Sequence, residues 1–213
     1  MGILEAHIAS WASSPFSAPS MGEAWDVVVG LADTIRILLE ALDGSYTIEG
    51  DIAVHRTAKV ERGASLKGPL IIGANCLIAE GSLLRGGCWL DSGCIVGPGG
   101  ELKTTIMFQG SKLAHFNFVG DSVIGRDVNL EAGAIIANYR NELSDPRLLI
   151  YHRGGVIQAE TLKFGALVGD GTRIGANAVV APGAILSPRT VVPRLGLIDQ
   201  RPIECFQEPH GRL

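Results

Sequence analysis

The chain has 213 residues, enough for one domain with a substantial core, and a formal net charge of −4 that gives no electrostatic case for nucleic acid. Glycine is frequent, at 28 residues, and aromatic residues make up only 6%, a composition unlike that of a sandwich or a helix bundle. No apolar run is long enough to span a membrane, the N-terminus lacks a signal-peptide pattern, and Cys76, Cys88, Cys94 and Cys205 form no CxxC pair. A cytoplasmic protein with reduced thiols and no metal site is therefore expected.

The first twenty residues, rich in Ser, Ala and Pro, are expected to be irregular. "GEAWDVVVGLADTIRILLEAL", from Gly22, then sets Val27, Leu31, Ile35, Leu38, Leu39 and Leu42 at helical spacing, with Gly44 as a stop signal. This predicts one helix packed on the first coil of the repeat region that begins near Ile48, covering an open sheet edge.

From Ile48 every sixth residue is aliphatic: Val54, Val60, Leu66, Ile72, Ile78, Leu84, Leu90, Val96 and Leu102. A second run takes Ile150, Val156, Leu162, Val168, Ile174, Val180, Leu186 and Val192. A helix repeats near 3.6 and a lone strand at 2, so a period of six needs another geometry. Three six-residue sides make an 18-residue triangular coil, with the aliphatic residue of each side pointing inward and successive coils stacking as parallel sheets about 4.8 Å apart. Four places after the aliphatic residue come Ala58, Ala64, Cys76, Ser82, Cys88, Cys94 and Gly100, small enough for tight corners. That reads three of the cysteines as buried small residues.

Between the runs the phase slips. Leu102 is followed by Met107, Leu113, Val119, Ile124, Leu130 and Ile136, so two steps are five residues long. "ANYRNELSDPRLL" then breaks the pattern and reads as a loop thrown out near 138–150. The chain divides into an N-terminal segment and helix over 1–46, the coil over 47–192 and a tail over 193–213, expected to run back along the outside.

Polar residues collect at the slip. Arg85 and Lys103 are one coil apart and should share a face, within reach of one anion. His115, alone of five histidines, lies amid the short steps, and a histidine suits general-base work. Surface cations and single histidines are also common as plain solvated residues.

The hexads resemble the hexapeptide-repeat family of left-handed parallel β-helices, an all-β fold whose hand is taken from the resemblance. The slipped segment resembles more specifically the acetyltransferase domain of the bifunctional enzymes that make UDP-N-acetylglucosamine. Arg85, Glu101 with Lys103, "GSK" at 110–112, His115, Gly120 with Asp121, Val128 with Asn129, and Asn138 with Tyr139 fall on that family's pattern without a gap. "AWDVV" and "LKFGALVGDGTRIGANAVVAPG" resemble archaeal-type sugar-phosphate members, in which the helix joins a nucleotidyltransferase domain; no Gly-rich nucleotide loop precedes the helix here.

The resemblance implies an acetyl-CoA-dependent N-acyltransferase acting on an amino-sugar 1-phosphate such as glucosamine 1-phosphate. Arg85, Glu101 and Lys103 would hold the sugar phosphate, Asn129 would position the sugar, and His115 would be the base. Ala132, Asn138 and Tyr139 would meet acetyl-CoA, and the chain would be a homotrimer with sites between prisms. Two positions depart from the pattern: Phe118 replaces a tyrosine, and Glu131-Ala132-Gly133 replaces Gly-Ala-Gly. The family lysine after Tyr139 is missing, with Arg140 or Arg147 as substitutes. These departures keep open a non-catalytic scaffold or a regulatory sugar-phosphate-binding protein. A carbonic anhydrase of the same fold needs three metal-binding histidines that the sequence does not offer.

Overall fold

The structure, a computed structural model, describes residues 2–17 and 22–201. The hexads close into a three-walled prism. The first wall stacks Lys59–Val60, Leu77–Ile78, Ile95–Val96, Lys112–Leu113, Asn129–Leu130, Arg173–Ile174 and Val191–Val192 in parallel. Three longer strands, Leu83–Leu90, Glu101–Met107 and Phe118–Ile124, run from the second wall round a corner into the third. Ser65–Leu66, Ile135–Ile136, Val179–Val180 and Leu197–Ile198 complete the second wall. Ile52–His55, Leu70–Ile72, Ala166–Val168 and Ala184–Leu186 complete the third.

The inward aliphatic residues form one core with Cys76, Cys88 and Cys94. Small corner residues do more than fit. Ser82 Oγ donates to the Gly97 carbonyl at 3.1 Å and Ser111 Oγ to the Gly125 carbonyl at 2.5 Å, each tying its corner to the next coil. Burial pushes the Cys88 thiol up to about 11, which keeps it protonated and unreactive.

Four residues assigned to the inward column stand elsewhere. Ile48 is 47% exposed in the strand Tyr46–Glu49, and Leu162 is 49% exposed in a connecting loop. Ile150 and Val156 belong to the antiparallel hairpin Leu149–His152 and Gly155–Gln158. Six is a multiple of the two-residue strand period, so hairpin residues satisfy the hexad by coincidence. The coil resumes only at Ala166–Val168.

Both five-residue steps fall at one corner, between the second and third walls. In Leu83–Leu90 that corner holds a bulge at Gly86 and Gly87, with φ of 72° and 96°. The next two coils omit one residue and turn through Thr104 (φ 49°) and Asp121 (φ 47°). In the coil after that, the chain leaves the prism at the same corner and returns at Ala166, whose N–H donates to Ser122 Oγ at 3.1 Å. Ser122 and Ala166 stack although 44 residues apart in sequence. The excursion carries the hairpin, which settles on the third wall with Leu148 and Ile150 buried beside Gly183.

The N-terminal segment is more ordered than its composition implies. It forms α1 (Ile3–His7) and a short 3-10 turn (Trp11–Ser13). The expected single helix is two, α2 (Ala24–Val29) and α3 (Leu31–Glu40), broken at Gly30. Glu23 and Asp26 form a capping box that starts α2. These helices reach well beyond the first coil, whose Ala53 is buried in the same outer core. α2 lies over Phe118–Ile124 and α3 over Leu83–Leu90, because the outward residues of the third wall are themselves aliphatic. Ile71, Ile106, Val123, Leu167 and Ile185 bury against Trp25, Val28, Leu31 and Ile35 in a second core outside the prism. The edge of the first coil on the third wall is paired with Tyr46–Glu49, antiparallel to Ile52–His55.

At the other end the coil extends past Val192, since Leu197–Ile198 still pair with Val179–Val180. The Gln200 side chain brackets the backbone of Ile185, donating to its carbonyl and accepting its N–H, each at 2.8 Å. Cys205 and the rest of the expected returning tail lie outside the described residues.

Candidate active site

Arg85 stacks directly on Lys103, and Lys103 on Gly120, so the one-coil spacing does put the two cations on one face. Each, however, has its own carboxylate. Arg85 Nε donates to Glu101 Oε1 at 2.8 Å and Nη2 lies 2.6 Å from the same oxygen. Lys103 Nζ donates to both oxygens of Asp121, at 2.7 and 2.6 Å. An anion binding here competes with both carboxylates.

Asp121 is the hub of this corner. It is 6% exposed, takes Lys103 on its carboxylate, accepts the Asn138 Nδ2 hydrogen, and accepts the Gly165 N–H on its carbonyl at 2.8 Å. It thus ties the preceding coil to the start and end of the excursion. Its left-handed backbone costs about 1–2 kcal/mol in a non-glycine residue, which these partners offset. Sequence reasoning gave Asp121 no role, although it falls 18 residues after Lys103, the same one-coil signal that linked Lys103 to Arg85.

Phe118 faces outward from the second wall between Glu101 and Ile135. Its ring end and the Asn138 amide crowd Gly120, where an added Cβ would lie 2.9 and 2.8 Å from them. Tyr139, beside Asn138, is 37% exposed. Arg140 is buried and fully engaged: its Nη1 and Nη2 donate to Asp199 at 2.6 and 2.9 Å, Nη2 also to the Pro182 carbonyl, and Nη1 to Glu142. Arg147 pairs with Asp145. Arg140 is therefore a structural clamp between the excursion and the last coil.

His115 stands at the corner between the first and second walls, exposed to solvent. Its carbonyl accepts the Gly133 N–H at 2.9 Å, and the Ala132 carbonyl accepts the Asn177 N–H at 3.0 Å. His115, Ala132 and Ala176 thereby stack in consecutive coils. The Ala132 N–H has no hydrogen-bond partner among the described residues. The carboxylate at Glu131 is turned toward the later coils: the Ala176 N–H of the next coil donates to it at 2.9 Å, and Arg194 Nε and Nη2, one coil further on, at 2.8 and 2.9 Å. Those bonds hold its carboxyl below the ordinary range.

Asn129 projects from the first wall in line with Lys112 and Arg173, and with them lines a cleft of about 180 Å³. The expected site residues therefore lie in three places: Arg85, Glu101, Lys103, Asn138 and Tyr139 at one corner, His115 and Ala132 at the next, and Asn129 on the first wall. A cavity of about 590 Å³ at the open first coil is lined by Ile52, Val54, Ala58, Val60, Leu66 and their neighbours, and by none of these residues. Among the described residues no three His, Cys, Asp or Glu side chains are placed to hold a metal ion, and no helix is long and apolar enough to cross a membrane.

No family model matches the chain. Among curated proteins it is 39% identical over 83 residues to a bifunctional sugar-1-phosphate nucleotidylyltransferase/acetyltransferase of Sulfurisphaera tokodaii, covering 39% of this chain and 20% of that protein. It is 30% identical over 104 residues to the bifunctional protein GlmU of Methanococcus vannielii, covering 49% and 24%. With the GlmU of Pseudoalteromonas atlantica it shares 31% over 167 residues, 78% of this chain and 32% of that protein. The chain thus spans between a fifth and a third of the length of these relatives. Among solved structures, a hexapeptide transferase family protein from Anaplasma phagocytophilum aligns with a TM-score of 0.42 at 18% identity, over 71% of this chain and 80% of that one. The stacked coils make the chain a hexapeptide-repeat parallel β-helix, and over those coils it is homologous to the GlmU-type bifunctional proteins.

Proposed function

We propose that the chain is an acetyl-CoA-dependent N-acyltransferase acting on an amino-sugar 1-phosphate, with His115 as general base. The observation that carries this reading is the stack of His115 under Ala132 at one corner, with the Arg85–Lys103 column at the other end of the same wall. One relative, that of Sulfurisphaera tokodaii, is named as a bifunctional sugar-1-phosphate nucleotidylyltransferase/acetyltransferase, which supports the reading.

The amine lone pair attacks the thioester carbonyl carbon, forming the C–N bond while His115 accepts the amine proton. The open Ala132 N–H is a donor for the oxygen of the tetrahedral intermediate. Collapse breaks the C–S bond, and the thiolate leaves and takes up the proton. Arg85 and Lys103 bind the phosphate after exchanging part of their pairing with Glu101 and Asp121, Asn129 positions the sugar, and Asn138 with Tyr139 meets the cofactor.

Since these groups do not share a cavity within one chain, the reading requires neighbours, and we assign a homotrimer with sites between prisms. The second wall carries an outward apolar stripe, Ile135, Val179 and Leu197, in direct register and partly to largely exposed, which suits burial between prisms. The competing scaffold reading is favoured by one observation: both cations are already neutralised by carboxylates of their own chain.

A thiol-release assay with acetyl-CoA against a panel of amino-sugar phosphates tests the proposal. Activity with an amino-sugar 1-phosphate, lowered about 10²–10⁴-fold in His115→Ala with the melting temperature unchanged, is the expected result. Acetyl transfer to none of the panel would leave the scaffold, and full activity in His115→Ala would place the base elsewhere.

A further inference from the structure

α1 and the inserted hairpin meet over the third wall, and each contributes a histidine. His7, 4% exposed at the end of α1, and His152, at the end of Leu149–His152, have ring centroids 5.8 Å apart with planes tilted by 58°. His7 Nδ1 lies 2.7 Å from the Ile3 carbonyl oxygen. That oxygen can only accept, so Nδ1 carries the hydrogen and Nε2 keeps its lone pair. A ring N–H bonded to a backbone carbonyl is the arrangement that fixes the tautomer of a metal-ligating imidazole. His152 Nε2 is buried without a hydrogen-bond partner, which is uncommon for a buried polar atom.

The separation fits a shared ion. A metal–nitrogen bond of about 2.0–2.1 Å, with each ring centre roughly 1.1 Å behind its nitrogen, lets two imidazoles share one ion with centroids out to about 6 Å. Asp170 is close by but occupied: its N–H donates to the His7 carbonyl at 3.0 Å, and its carboxylate accepts the Ala9 and Arg126 N–H groups at 2.9 and 2.7 Å.

We infer that His7 and His152 are the two protein ligands of a site for a borderline-soft divalent ion such as Zn²⁺, clipping the N-terminal segment to the inserted hairpin, with water or a small exogenous ligand in the remaining positions. No third His, Cys, Asp or Glu joins them among the described residues, so the site is open and exchangeable rather than a closed structural centre. The inference is independent of the acyltransferase reading.

The test uses the full, tag-free chain stripped with a chelator. Zn²⁺ titration should show one ion per chain, and the melting temperature should rise by about 5–10 °C at a zinc concentration a hundred times the Kd. His152→Gln should abolish both. In parallel, substoichiometric Ni²⁺ added to the unmodified chain should broaden the ring NMR signals of His7 and His152 before those of His55 and His115. This second measurement decides the matter if His152→Gln fails to fold. No uptake by the wild type, unchanged uptake in His152→Gln, or first broadening at another histidine would overturn the inference.

Discussion

Asp121 and Thr104 occupy equivalent left-handed corners, yet the Asp121 carboxylate joins two other segments, through Lys103 and Asn138. Asn tolerates the same backbone, so Asp121→Asn isolates the charge from the turn. It leaves Lys103, whose side chain is 19% exposed, without its counter-charge. Breaking a pair this buried should cost on the order of 3 kcal/mol in urea unfolding; a loss below about 0.5 kcal/mol would mean the pair behaves as a surface bridge. The cysteines give a second check. With Cys88 at about 11 and Cys76, Cys88 and Cys94 buried, a thiol reagent at pH 8 should leave all three unmodified in the native protein, read by peptide mass mapping. Modification of any before unfolding would show that the corners open.

At the scale of elements, α3 approaches the second-to-third corner closely. A Cβ at Gly87 would lie 3.1 Å from Ala32 Cα, and its φ of 96° disfavours any side chain. Gly87→Ala should therefore lift α3 and destabilise by about 1–3 kcal/mol, while Gly93→Ala, equally left-handed but with open space around it, should cost less. The clamp between the excursion and the last coil is testable by pH. Burial alone would raise the Asp199 carboxyl, but Arg140 overrides it and the net shift is downward. A depressed acid contributes stability that is fully present above its unfolded pKa and lost as pH falls through the folded one. Stability should therefore fall more steeply below about pH 4 in the wild type than in Asp199→Asn, followed by denaturant midpoints; equal slopes would remove the clamp from the acid response. These elements also mark where the sequence ran out. The inward hexads were legible because one period repeats many times. α1 and the break at Gly30 were not, since their reason is the aliphatic outer face of the third wall, whose residues interleave with the inward column and share no single period with it.

At the scale of the molecule, sedimentation at micromolar concentration should give a trimer, and Val179→Glu, in the middle of the second-wall stripe, should shift it toward monomer while the single prism stays folded. A stable wild-type monomer would remove the shared-site model. The site was legible in part for the same geometric reason. Spacings of one coil put Arg85 on Lys103, but no spacing in a single chain reports which corner faces a neighbour, nor that Glu131 turns away to Arg194. The second core has a consequence for assembly. A closed ring of like subunits joined head to tail needs two different surfaces on each. With the third wall sealed by the helices and the hairpin, the first and second walls are the extended faces left, and in the proposed trimer the ridge where they join would be the line that each copy presents to the next. His115 stands on that ridge.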